Sequence, residues 1–440
     1  MLKAKNMGRP KKFFSGSGTQ STVKKISALP DSFDVNTGTD LFWDALLKRF
    51  SKIARVYGFS RVETPAVEDA RLFKAFYGQN SAKYDSLVVL PWHGLLEAAL
   101  RPTQLPGILR NFSHQKFEDA PSLHKWHYGG FTYKKDFAGK PFLDYELGCE
   151  ILGQFNHLNE AQVIAAAWEF FSGFELEGLI LEINNLGSQE CQERYAGVLV
   201  DALLPKKYDL CDNCNELLTY RPLGVFACEN LDCQAAAAES PTILDFLDQD
   251  SHKDFTNVLE ALDEMNIIYQ LNPFYVGKQS SEKTTFSVKY KFGEKMVSLV
   301  EGGYHQSSGY GSFNKNFAAF GFFGSLMLLK KILKDGPLVV ERQILSEVCL
   351  VPLGELAAKR SLRLFRDLTA HKILVYDHFG LSGVKNQLKV ALDNKVPIAL
   401  IMGQKEAMDE MVILRDVKSG MQEIISYDKI VEEVKKRLGK

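Results

Sequence analysis

Four cysteines stand at spacings suited to holding one metal ion. Cys211-Asp212-Asn213-Cys214 is followed by Cys228 and Cys233, so a C-x2-C pair and a C-x4-C pair are separated by thirteen residues. Zn²⁺ in structural sites prefers four tetrahedral thiolates, and short spacing within a pair lets each pair fold as one knuckle. Four thiolates would leave no open position, so such a site is structural rather than catalytic. The competing reading is four unligated thiols. A redox pair is disfavoured, because a single C-x-x-C here lacks the surrounding pattern of a thioredoxin-like unit. Cys149, Cys191 and Cys349 sit in apolar or strand-like surroundings and read as inert core thiols.

A second constellation is acidic. Glu146 and Glu150 flank Leu147-Gly148-Cys149. If this stretch is a strand, positions 146, 148 and 150 share a face. Two carboxylates on a buried face could hold a cationic ligand, and the alternative is that they face solvent or pair with lysines. His124, His127 and His305 read as ordinary structural histidines, with His305 set apart by its place beside Gly302-Gly303. Lys385, Lys389 and Arg415 could contact RNA phosphates or simply solvate a surface.

These groups need elements to position them. Phe42, Leu46, Phe50, Ile53 and Tyr57 form one apolar stripe, predicting a helix over 40–57 that ends at Gly58. Phe59 to Glu63 then reads as a strand, as do Leu147 to Leu152 and Leu179 to Ile183, whereas Ala161 to Phe171 reads as a helix. Irregular mixing of strands and helices up to about Leu333 suits an antiparallel sheet with flanking helices. The pattern then changes. Strands at 349–353, 373–376, 398–402, 411–414 and 424–425 alternate with helices at 356–368 and 384–392. A closing helix carries Ile430, Val431, Val434 and Leu438, as in a compact α/β domain. Lys334-Asp335-Gly336-Pro337 is the expected hinge.

The chain has 440 residues, 45% of them hydrophobic and 24% charged, with a formal net charge of −1. It can bury a sizeable core, and it is not a globally basic nucleic-acid binder. No apolar run reaches the roughly 18–20 residues of a membrane span. The start has positive charge but no apolar h-region, which argues against a secretory signal. Seven cysteines with four at metal spacing fit a reducing cytoplasm. Up to Ser27 the chain carries Lys3, Lys5, Arg9, Lys11, Lys12, Lys24 and Lys25 and no acid. That segment reads as a solvated disordered tail or, alternatively, as an arm on an RNA backbone.

Several strings together carry a family likeness. Tyr57-Gly58-Phe59 through Glu63-Thr64-Pro65, then Glu68-Asp69 and Leu72-Phe73, resembles the first motif of class II aminoacyl-tRNA synthetases, a dimer-interface segment in that family. Leu100-Arg101-Pro102 resembles the start of the loop that holds the histidine amino group in histidyl-tRNA synthetases. Trp126-His127-Tyr128 to Phe131, Gly139 and Leu147 to Gly153 is similar to their second motif. The cysteine segment with Arg221-Pro222-Leu223 is similar to a variant of some histidyl enzymes, and Gly302-Gly303 resembles the paired glycines of the histidine-specific region. Leu350 to Gly354, Ser382 to Leu388 and Val412 to Asp416 resemble the anticodon-binding domain. The likeness runs from about Pro30 to Leu438.

The resemblance implies an α+β fold with three parts. These are a basic tail over 1–29, a class II catalytic-type antiparallel sheet domain over 30–335 with a zinc-bearing insertion at 185–270, and an anticodon-binding-like α/β domain over 336–440. It implies a homodimer, tRNA as partner, and a pocket bearing Arg101, Glu146, Glu150, Gly302, Gly303 and His305. In an active histidine–tRNA ligase it also implies ATP and Mg²⁺.

The departures fall on charge. Where the family places arginines on phosphate and substrate, this chain has Thr132, Val276, Tyr304 and Met327. Lys134 replaces an acid, Thr103 and Leu105 replace the acidic and hydroxyl ligands of the histidine loop, and Glu146 replaces a glutamine. Val276-Gly277-Lys278-Gln279-Ser280-Ser281 replaces the histidine-specific stretch. Adenylate formation develops charge that guanidinium forks stabilise bidentately, and Thr, Val or Met cannot. Losing one such contact costs about 10²–10³ in rate. The expectation is a catalytically degenerate paralogue that binds tRNA, other RNA or a protein partner. The alternatives are an active ligase whose nearby lysines (134, 135, 140 and 278) compensate, and a synthetase-like regulator of ATP phosphoribosyltransferase. The anticodon-like domain weighs against the last.

Overall fold

The computed structural model describes residues 40–77, 86–92, 97–115, 123–135, 139–277, 282–306, 317–333, 346–377, 379 and 383–440. The basic tail, Lys278 to Ser281, Ser382 and the expected hinge at 334–337 lie outside the described residues. The chain forms two compact units, one of residues 1–35 and 50–335 and one of residues 36–49 and 336–440, so that helix α1 (Asp40–Val56) is shared between them.

The first unit is built on an eight-stranded sheet ordered β1-β5-β6-β11-β10-β9-β7-β8. Its strands are β1 (Ser60–Arg61), β5 (His124–Lys135), β6 (Pro141–Gly153), β7 (Ile180–Asn185), β8 (Gln270–Leu271), β9 (Glu282–Phe292), β10 (Lys295–Gln306) and β11 (Ala318–Ser325). The central pairings are antiparallel, with β1 and β8 joining parallel at the edges. Three short strands, β2 (Val67–Asp69), β3 (Val88–Pro91) and β4 (Glu97–Leu100), form a separate antiparallel sheet ordered β2-β4-β3.

Alternation along the central strands separates an apolar from a polar face. Phe286, Phe320 and Phe322 share one face with Leu147, Cys149 and Ile151, all buried. Helix α1 (Asp40–Val56) places Phe50 edge-on to Phe322, His127 and Phe170, the last on the helix His157–Ser172. Fully burying one such ring is worth about 1.5–3 kcal/mol, so this face holds the sheet flat against its helices and leaves the other free for polar groups. The remaining helices here are α2 (Ala70–Tyr77), α3 (Leu105–His114), α4 (His157–Ser172), α5 (Gln189–Leu203), α6 (Asp212–Tyr220), α7 (Leu231–Ala238), α8 (Gln249–Glu264) and α9 (Leu326–Leu333). Helix α4 begins four residues earlier than its apolar period suggests. Asn156 accepts from the Leu158 and Asn159 N–H groups, and Asn159 caps in return, so a capping box extends the helix past its last apolar position. Between β7 and α8, helices α5 to α7 enclose their own core of Tyr195, Leu199, Leu203, Cys214 and Cys233.

The second unit is a five-stranded sheet ordered β13-β12-β14-β15-β16. Its strands are β12 (Val348–Pro352), β13 (Val375–Asp377), β14 (Ile398–Met402), β15 (Met411–Asp416) and β16 (Gln422–Ser426), the first three parallel and the last two antiparallel. Helices α10 (Glu355–Ala370), α12 (Gln404–Met408) and α13 (Tyr427–Leu438) cover one face through Leu364, Ala407 and Ile430. Helix α11 (Val384–Asp393) covers the other through Ala391. The short α12 has no counterpart in the sequence expectation, because five residues are too few to show a helical period.

Candidate functional site

Register assembles one polar face across the large sheet. Thr132 stands opposite Asp144, Gly130 opposite Glu146 and Trp126 opposite Glu150. Ser325 and Gly321 on β11 face the same two glutamates, and Gly303 and Glu301 on β10 continue the row toward Thr285 and Ser287 on β9. Glu146 and Glu150 are both buried, at 4% and 0% exposure, so the solvent-facing alternative does not apply to either.

Their partners come from the chain itself. The Thr103 hydroxyl donates to Glu146 Oε1 at 2.9 Å, and the Gln104 N–H donates to the same oxygen at 2.7 Å. The Gln104 amide donates to the Glu146 carbonyl at 2.8 Å. Gln104 is the N-cap of α3, so the carboxylate sits at a helix N-terminus, where negative charge is favoured. Burial raises the Glu146 pKa, opposed by Lys134 and by these donors. Glu150 is pushed well above the carboxylate range by burial, and its Oε1 accepts from Tyr128 at 3.3 Å. Glu150 Oε2 has no hydrogen-bond partner among the described residues. It lies over Gly321, where a Cβ would meet it at 1.9 Å, so only glycine at 321 leaves room for this side chain.

Arg101 lies on the same face, but as a clamp. Its Nε donates to the Phe131 carbonyl at 2.9 Å and its Nη1 to the Thr64 carbonyl at 2.7 Å. Gly130 makes room for it, since a Cβ there would fall 2.2 Å from Nη2. The residues standing in for arginines scatter. Thr132 is buried on the polar face, its hydroxyl unpartnered among the described residues, beside Asp144, which accepts from Ser325 at 2.7 Å. Val276 packs against the core of α5 to α7. Tyr304 follows a register shift in the β9–β10 pairing, and its ring lies tilted against Phe155 with centroids 6.0 Å apart and has Lys283 Nζ over it at 5.2 Å. Met327 lies half-buried on α9.

The remaining predicted residues divide as well. Gly303 and His305 fall on the polar face, and His305 is buried. Gly302 falls on the apolar face, where a Cβ would meet the Phe286 ring at 2.4 Å. His127 is buried against Phe50, and burial pushes its pKa down to about 4. His124 packs edge-on to Phe112 and Trp126. Lys385 and Lys389 are exposed on α11, and Arg415 donates to Gln422 on the neighbouring strand at 3.4 Å. Sequence reasoning missed Tyr128, Asp144 and Gln104. Asp144 was within reach, since 144, 146, 148 and 150 keep a strand's period of two.

Cys211, Cys214, Cys228 and Cys233 converge, with all four sulfurs within 4.8 Å of one another. Tetrahedral Zn²⁺ with bonds of about 2.3 Å sets sulfurs about 3.8 Å apart, and Cys211 and Cys228 Sγ are 3.9 Å apart. The Cys211 N–H donates to Cys233 Sγ at 3.2 Å and the Asn230 N–H to Cys228 Sγ at 3.5 Å, an arrangement that supports thiolate charge. Donor type, number and convergence all fit a four-thiolate metal.

Residues 347–437 match the family model described as an anticodon binding domain. Histidine–tRNA ligase of Caldicellulosiruptor bescii is 24% identical over 421 residues, covering 94% of this chain and 100% of that relative. The Clostridioides difficile ligase is 27% identical over 402 residues, covering 90% and 96%. Among solved structures, apo Staphylococcus aureus histidyl-tRNA synthetase aligns with a TM-score of 0.75 at 20% identity, covering 93% of this chain and 100% of that one. A Bacillus halodurans chain titled as an ATP phosphoribosyltransferase regulatory subunit/histidyl-tRNA synthetase aligns at a TM-score of 0.59 and 18% identity, covering 85% and 97%. The large antiparallel sheet and the C-terminal unit are thus a class II synthetase core followed by an anticodon-binding domain. Along nearly its whole length the chain is similar to histidyl-tRNA synthetases.

Proposed function

We propose that this chain is a non-catalytic member of the histidyl-tRNA synthetase family: a homodimer that binds tRNA or a related RNA through its C-terminal domain and no longer activates histidine. One observation carries this reading. The Glu146 carboxylate is taken by Thr103 and Gln104, residues of the loop that would receive a substrate amino group. Around it the face carries Asp144, Glu150 and Glu301, while the guanidinium of Arg101 is spent on main-chain carbonyls. A triphosphate approaching such a face meets acidic side chains and a lysine point charge, Lys134, where its charge needs forked donors. Zn²⁺ at the four cysteines would pin the insertion together and take no part in chemistry.

The competing reading is an active ligase with an altered pocket. Full-length likeness to chains named as histidine–tRNA ligases favours it. Histidine-dependent exchange of pyrophosphate into ATP separates the two. The proposal predicts no exchange above background with tRNA binding retained and salt-dependent, and robust histidine-dependent exchange would end it.

A further inference from the structure

The flank formed by α4 and α8 carries two grooves and an excess of acidic side chains. One, of about 420 Å³, is lined by Tyr57, Trp168, Glu169, Met265 and Ile267. The other, of about 470 Å³, is lined by His157, Leu158, Glu260, Asp263 and Glu264. Apolar side chains stand open beside them: Val56 is 74% exposed, Ile268 81% and Leu158 53%. Residues 157–182 and 254–277 contain no lysine or arginine and carry Glu169, Glu175, Glu177, Asp263 and Glu264; the cations nearby are Lys253 in the first turns of α8 and Lys125, which donates to Gln162 on α4 and to the Tyr57 carbonyl. The flank is therefore an apolar seam rimmed by carboxylates.

The segment before α1 has the opposite character. From Met1 to Ser27 it holds seven lysines and arginines and no acid, and Phe13-Phe14 directly follows Lys11-Lys12. An aromatic pair joined to cations suits an apolar groove with an acidic rim, because the rings bury apolar area while the ammonium groups stay at the carboxylates. Reach is not limiting: the 26 residues between Phe13 and Asp40 can span up to about 85–95 Å when extended. We infer that the basic N-terminal segment of this chain docks on the α4–α8 flank, Phe13-Phe14 entering the groove at Trp168 and Met265 and the flanking lysines facing Glu169, Asp263 and Glu264.

The test places a photo-crosslinking benzoylphenylalanine at Phe13 in the full-length chain and maps the products by mass spectrometry. An equal mixture of ¹⁴N and ¹⁵N chains distinguishes links within one chain from links between chains. The expected result is links to residues 165–172 and 263–268 within single chains. Their yield should fall at least fivefold in 0.5 M salt and in the surface variant Glu169→Gln/Asp263→Asn/Glu264→Gln, with the circular dichroism spectrum unchanged. Links to this flank only between chains would assign the groove to a second copy and overturn the proposal. Links elsewhere, no links, or a yield indifferent to salt and to the triple variant would also overturn it.

Discussion

Two clusters of polar side chains in the first unit have opposite designs. On the sheet face the chain itself occupies two of the charged groups, Glu146 bonding Thr103 and Gln104 and Arg101 two carbonyls, while Glu150 Oε2 and the Thr132 hydroxyl stay without a partner among the described residues. In the insertion, four sulfurs converge within 4.8 Å of one another. In the first arrangement Glu146 and Arg101 are engaged without a ligand. The second brings together four groups that repel once ionised, and it is stable as thiolates only around a cation. Keeping a family's residues in order is therefore a weaker sign of a working site than leaving their bonding capacity turned toward a common centre.

The largest effect should come from the cysteines. Structural Zn²⁺ contributes apparent binding energies of about 10–16 kcal/mol in small domains. Cys214→Ser should lower metal content from about one ion per chain toward none, measured by plasma mass spectrometry. It should also open residues 189–264 to limited proteolysis. A native protein with no zinc and four titratable thiols would remove this half of the contrast.

On the sheet face the sharpest structural test is Gly321→Ala. A Cβ there meets Glu150 Oε2 and the Cys149 carbonyl, the latter at 2.4 Å, and the backbone contact cannot be relieved by rotating a side chain. The expected loss is about 3 kcal/mol in urea unfolding. In a Glu150→Ala background the added loss should be smaller but not zero.

How much of this was legible in the sequence differs between elements. β14 was legible at Ile398–Met402, and α11 at Val384, because continuous apolar runs and helical stripes report local burial directly. The pairing of Glu146 and Glu150 on one face was legible from a period of two. What Glu146 bonds to was not, since Thr103 and Gln104 lie more than forty residues away and meet it only through the sheet register. The convergence of the cysteines was legible from spacing alone. The irregularity that pairs Tyr304 with Glu282 instead of Thr284 leaves no mark in composition or pattern.

A third effect is tied to pH. Burial raises the pKa of Glu160, at the start of α4, to about 7. Folded chains then keep this proton up to about pH 7, whereas unfolded chains release it above about 4.3, so stability falls as pH rises through that window. Glu160→Gln should flatten the decline by up to about 3 kcal/mol, read from urea midpoints at pH 4.5 and 7.5. An unchanged slope would mean the carboxyl is solvated.

The smallest effect belongs to the exposed lysines of the second unit. Lys385→Ala and Lys389→Ala should each reduce the salt slope of tRNA binding by about one and leave the unfolding midpoint in place. Unaltered slopes would move the RNA surface off α11.

The measurement that reaches the contrast most directly is calorimetric titration of the full-length protein with a non-hydrolysable histidyl-adenylate analogue. A polar face whose Glu146 and Arg101 are already held by its own chain predicts no saturable heat, with Kd weaker than about 1 mM. A stoichiometric site with Kd near 1 μM or tighter would show that Glu146 releases Thr103 and Gln104 for a ligand, and would contradict the account.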